Sequence, residues 1–146
     1  MHSEHLQNVS TGRVMMGWLV AVAVSSLVLL ALAAVGMSPV EAENTWASIL
    51  AVIIGFFAGG FFTGMRALRA PILHGIAIGL MSLVVWVVLN VIVFGLLSGA
   101  QWEVLTPLIT TLLLFAQIVS AVIGALVGYN VGLAGKPGLS EHPTAD

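Results

Sequence analysis

The side chains able to do acid–base, nucleophilic or metal chemistry are few and widely spaced. The chain has 146 residues, among them four His, four Lys or Arg, six Asp or Glu and no Cys. Without Cys there is no disulfide framework and no thiolate metal site. His2 and His5 flank Ser3 and Glu4 in a polar stretch that reads as a solvated tail rather than a metal site. His74 stands alone in an apolar run, with no carboxylate or second His beside it for metal ligation or proton transfer. It is the candidate pH-sensitive group, against the plainer reading of a hydrogen-bonded packing residue. No Asp or Glu lies inside any long apolar run, which counts against ordinary proton-coupled transport. Four basic residues cannot neutralise a phosphate backbone, so nucleic acid is not an expected partner. The reading is of a protein that is not an enzyme and carries no cofactor, metal or catalytic residue.

The uncharged polar groups are better placed. At about 3.6 residues per turn, Ser82, Trp86 and Asn90 share one helical face with Gly75 and Gly79. Thr110 and Gln117 share the face of Gly124 and Gly128. A turn at 99–101 would set Ser82 level with Gln117, and His74 level with Gly128 and Tyr129. Such a polar strip has two readings. It holds helix register through hydrogen bonds contributing about 0.6–2 kcal/mol each, or it lines a path for a small uncharged solute.

The elements that carry these residues follow from composition. The chain is 60% hydrophobic and 7% charged, whereas soluble domains carry about 25% charged residues. Four runs without Asp, Glu, Lys or Arg occupy 14–36, 46–64, 71–97 and 105–133. Each reaches the roughly 20 residues that cross a bilayer, and only helices or closed barrels can do so. The fold class is therefore all-α: a polytopic membrane protein of four transmembrane helices, arranged as two tandem helical hairpins. Residues 1–13 form an N-terminal tail, 14–134 the membrane domain and 135–146 a polar tail without apolar residues to bury. Pro71 and Pro107 suit first-turn positions, and Thr106 suits an N-cap. The first run is 23 residues, longer than the roughly 7–15 of a signal peptide, which favours a retained span.

Arg13, Arg66, Arg69 and Lys136 all fall on one side of this topology. By the positive-inside rule that side is cytoplasmic and both termini lie there. Trp46 and Trp102 mark the outer boundary and Trp18 the inner one, as an interfacial aromatic belt.

Helices in lipid associate where small residues let backbones approach. Gly17, Ala21 and Ser25 form such a series in the first run, and Ala51, Gly55, Gly59 and Thr63 in the second. Gly75 and Gly79 follow in the third, and Ser120, Gly124, Gly128 and Gly132 in the fourth. They lie mainly in the cytoplasmic halves, which predicts a bundle tight inside and splayed outside. A shift of 69 residues aligns Gly55 and Gly59 with Gly124 and Gly128, a faint sign of two parallel repeats.

Gly59-Gly-Phe-Phe-Thr-Gly-Met-Arg66, with Arg69-Ala-Pro-Ile-Leu-His-Gly75 and Gly79, resembles small four-span bacterial membrane proteins with a glycine-rich second helix, a basic turn and a His-Gly opening to the third. The resemblance covers about a quarter of the chain, and its family has no established activity. It implies a bacterial inner membrane location. Small multidrug transporters share the size, but their acidic residue in the first span is absent from 14–36. The functional expectation is a non-enzymatic accessory, structural or self-associating membrane subunit. Its partners are the lipid bilayer and either a second copy or another membrane protein. The alternative is a small channel or facilitator for an uncharged solute.

Overall fold

The computed structural model describes residues 9–37, 45–67, 70–96 and 107–135. Helices α1 (Thr11–Ala34), α2 (Thr45–Arg66), α3 (Pro71–Leu96) and α4 (Pro107–Ala134) account for nearly all of them, and no strand occurs among the described residues. Each helix is long and apolar enough to cross a membrane. The tails 1–8 and 136–146, with Lys136, and also Arg69 and Thr106, lie outside the described residues.

Local chemistry sets the helix ends. The Ser10 carbonyl accepts the N–H groups of Arg13 and Val14 at 3.0 and 3.1 Å, so α1 begins at Thr11, before the uncharged run. At its other end Gly36 takes a φ of +86°. That left-handed turn lets Gly36 N–H reach Ala33 and Met37 N–H reach Leu32, both at 3.0 Å, a Schellman stop that occupies two terminal carbonyls. Pro71 and Pro107 open α3 and α4, where no N–H is missed.

Packing sends the chain round in the order α1, α2, α4, α3. Helix α2 packs most extensively on α4 and α1, and α3 packs on α4 and more lightly on α1 and α2. Glycine positions give the directions. A Cβ on Gly17 would meet the Gly59 carbonyl, and one on Gly55 the Ala21 carbonyl, so α1 and α2 are antiparallel. Gly75 faces Val122 and Gly79 faces Ile118, so α3 and α4 are antiparallel too. Gly124, Gly128 and Gly132 face the carbonyls of Phe57, Phe61 and Met65, making α2 and α4 parallel. These are two tandem hairpins joined side by side.

The join between them is reciprocal. Gly60 and Gly64 on α2 face the carbonyls of Ala121 and Ala125 on α4, while Gly124 and Gly128 on α4 face those of Phe57 and Phe61 on α2. Adding 64 residues converts each contact into its mirror. The hydrogen bonds from Ser10 to His74 and from Trp18 to Ser82 have the same separation of 64. The seam between α2 and α4 thus has local pseudo-two-fold symmetry at an offset of 64, not the 69 suggested by glycine spacing. The reason is geometric: Gly55 and Gly59 face α1, whereas Gly124 and Gly128 face α2, so the glycines aligned by sequence are not structurally equivalent.

Burial is concentrated at the end carrying Arg13 and Arg66. Among the residues whose burial is described, buried positions on α1 stop at Ser25, those on α3 at Gly79, and those on α4 start at Ser120. Toward the other end Val84, Val87, Val88 and Leu89 are all exposed. Among the described residues only α2 has buried positions along its whole length, from Ala47 to Gly64. The bundle is tight at the arginine end and splayed at the other. Large apolar side chains such as Leu27, Leu30, Leu112 and Phe115 cover the outer surface, as lipid contact requires.

Candidate functional site

Beyond the tight end, the diverging helices leave a cleft of about 290 Å³ to which all four contribute. Trp18, Val22, Ser25 and Ser26 come from α1, Val52 and Phe56 from α2, Ser82, Val85, Trp86 and Leu89 from α3, and Leu113, Leu114 and Gln117 from α4. Three of the five strip residues read from sequence, Ser82, Trp86 and Gln117, line it. The side chains of Asn90 and Thr110 lie outside the described residues.

A single cross-helix bond marks one boundary of the cleft. The Trp18 indole N–H donates to the Ser82 hydroxyl at 3.0 Å, tying α1 to α3. Next to it Ile78, fully buried, fills the space over Gly17. Trp18 is therefore half-buried against the core. Ser82 does not pair with Gln117, because Gly79 meets Ile118 and sets a different register between α3 and α4.

Two of the residues lining this cleft carry a buried polar atom without a partner. Ser25 Oγ and Gln117 Oε1 are both buried and unbonded. Leaving a buried acceptor unpaired costs about 1–3 kcal/mol, so both are sites where an N–H or O–H from elsewhere would be favoured. Among the described residues no charged side chain lines the cleft.

Toward the arginine end, the buried polar side chains His74 and Thr63 are hydrogen-bonded. His74 is fully buried. Its Nδ1–H donates to the Ala70 carbonyl at 2.9 Å and its Nε2 accepts the Ser10 N–H at 3.3 Å. These roles belong to the neutral imidazole. The ring thus clamps the start of α1 to the start of α3. Ala70, just before Pro71, has a φ of 55° and is itself buried. A left-handed alanine costs roughly 1–2 kcal/mol, held here by a carbonyl that takes both the ring and the backbone N–H of His74. Thr63, almost fully buried, shares its hydroxyl proton between Gly59 O at 3.0 Å and Arg13 O at 3.4 Å.

The small residues sit at helix interfaces. Gly17, Ala21 and Ser25 face α2, Gly55 and Gly59 face α1, Gly75 and Gly79 face α4, and Gly124, Gly128 and Gly132 face α2. Ser120 is buried on α4. Sequence reasoning missed Gly60 and Gly64, whose four-residue spacing was the available signal. It also missed Trp18 as a hydrogen-bonding residue. Among the described residues no group of three His, Asp or Glu side chains comes together that could hold a metal. Comparison of the chain with protein families, curated proteins and solved structures finds no match.

Proposed function

We propose that this is a non-enzymatic membrane protein that holds a small uncharged, hydrogen-bond-donating solute in its cleft. The observation that carries the reading is the pair of buried, unpartnered acceptors, Ser25 Oγ and Gln117 Oε1, on residues that line one cavity. At about 290 Å³ the cavity is at the lower end of small-molecule sites, which run from about 300 to 1,000 Å³. Its walls are otherwise mostly Val, Leu, Phe and Trp, and an ion desolvated there would have no counter-charge. The complete burial of Ile78 and His74 toward the arginine end favours a one-ended binding site over an open pore. By the basic residues, that end faces the cytoplasm and the cleft faces outward.

Trp18 and Trp86 on the cleft wall give the test a signal. Neutral amides and alcohols small enough for the cavity would be titrated against tryptophan emission in nanodiscs. The expected result is a saturable change that Gln117→Leu abolishes. If no solute perturbs emission, or if Gln117→Leu responds like the parent, the reading fails.

A second reading, an accessory subunit for another membrane protein, draws on the exposed valines Val84, Val87 and Val88 of α3, where a partner helix would find an apolar surface. The small-residue faces are occupied within the chain, which leaves them unavailable for self-association. Native mass spectrometry of lipid particles taken directly from the source membrane would display such a complex, and a monomer alone would remove this reading.

A further inference from the structure

A second cavity, of about 370 Å³, opens at the arginine end. It lies between the start of α1 and the end of α2, lined by Ser10, Gly12, Arg13, Thr63 and Arg66, with Met16 and Phe62 as its apolar wall. Two cations from different helices thus share one cavity. Neither arginine has a carboxylate partner among the described residues, which include no Asp or Glu. Arg66 rests its guanidinium on the Phe62 ring, 3.8 Å from the centroid, which orients it without neutralising it.

The rest of the cavity favours the same ligand chemistry. It includes the first turn of α1, a 24-residue helix whose N-cap makes no side-chain hydrogen bond and whose first turn has no acidic residue. The positive end of that helix dipole points where an anion would sit. Gly12 leaves the entrance clear, since a Cβ there would meet nothing within 4 Å. Met15 and Met16, about half exposed, continue as an apolar surface along α1.

We infer that Arg13 and Arg66 hold the phosphate of an anionic phospholipid headgroup, with its acyl chains lying along Met15, Met16 and the outer face of α1. A free phosphate has the same charge, but it has no use for the apolar wall. The guanidinium groups match phosphate oxygens in bidentate geometry, and their place at the ends of two spanning helices is headgroup depth.

The protein purified in detergent would be titrated with dioleoylphosphatidylglycerol, dioleoylphosphatidylcholine and inorganic phosphate, with bound species counted by native mass spectrometry. The expected result is preferential binding of the anionic lipid, reduced roughly fivefold by Arg13→Gln or Arg66→Gln alone and further by both. Gly12→Leu keeps both charges but fills the cavity, and it should also release the lipid. Helical circular dichroism of each variant would separate lost binding from lost fold. Equal binding of the two lipids, displacement of lipid by millimolar phosphate, or a preference that survives Gly12→Leu would each overturn the inference. The last outcome would mark diffuse charge attraction rather than a site.

Discussion

Trp18 and Ser82, on helices α1 and α3, are joined by a 3.0 Å bond from indole N–H to hydroxyl. Removing the donor while keeping an aromatic ring, as in Trp18→Phe, should lower stability by roughly 0.6–1.7 kcal/mol. Ser82→Ala should do about the same. The double variant should cost less than the sum of the two, because a single bond is lost. Unfolding in mixed micelles would measure the cycle, and strictly additive effects would show that the bond contributes nothing.

Gly60 and Gly128 sit against backbone carbonyls of the facing helix, so an added side chain has no flexible neighbour to displace. Gly60→Val or Gly128→Val should destabilise by about 1–3 kcal/mol or more and separate α2 from α4. Gly12 is the internal control, with open space around its Cβ position and a place in the first turn of α1. Gly12→Ala should raise stability by about 0.5–1 kcal/mol through helix propensity. Equal responses at positions 12 and 60 would contradict the packing described above.

His74→Ala removes a fully buried ring that bridges Ser10 N–H and the Ala70 carbonyl. The cost should be on the order of 2–4 kcal/mol, from the cavity and from the groups left unpaired. Hydrogen exchange at the Ser10 amide offers a local readout that a general loss of packing does not single out. It should accelerate more than exchange in the middle of α2. Unchanged protection at Ser10 would mean that the His74 ring does not hold α1.

Ser25→Ala takes away a buried hydroxyl that lacks a partner. Most buried polar substitutions destabilise, but here the expected change is neutral to about 1 kcal/mol stabilising. Gln117→Leu should behave in the same direction. A clear loss of stability in both variants would show that these groups have structural partners after all, and would remove the argument that the cleft awaits a donor.

The four helices were readable because uncharged runs of more than 18 residues have few alternatives in a chain this apolar. Hairpin order followed from the same runs, and polar Ser82, Trp86 and Gln117 did fall on a shared cavity. What was not readable is register. One face of α2 was traced through Ala51, Gly55, Gly59 and Thr63, and that face meets α1. A second face through Gly60 and Gly64, about 100° round the helix, meets α4 and joins the two hairpins. Spacing along one helix finds small residues but does not say which neighbour each will touch. The same limit explains Trp18, whose depth from the helix start suggested a membrane boundary, while its hydrogen-bond partner lies 64 residues away.

The parallel pairing of α2 with α4 also has a meaning for biogenesis. Helices emerge from the ribosome in order, and the first hairpin can close on itself as soon as α2 is inserted. At that moment Gly60 and Gly64 face lipid, since Ala121 and Ala125 have yet to be synthesised. A small-residue face of this kind is an adhesive surface between transmembrane helices. An interrupted or slowly translated chain should therefore pair with the wrong partner, including the α2 of a neighbouring nascent copy. Crosslinking of chains stalled after α2 should therefore trap dimers through Gly60 and Gly64, and an absence of such dimers would refute the idea.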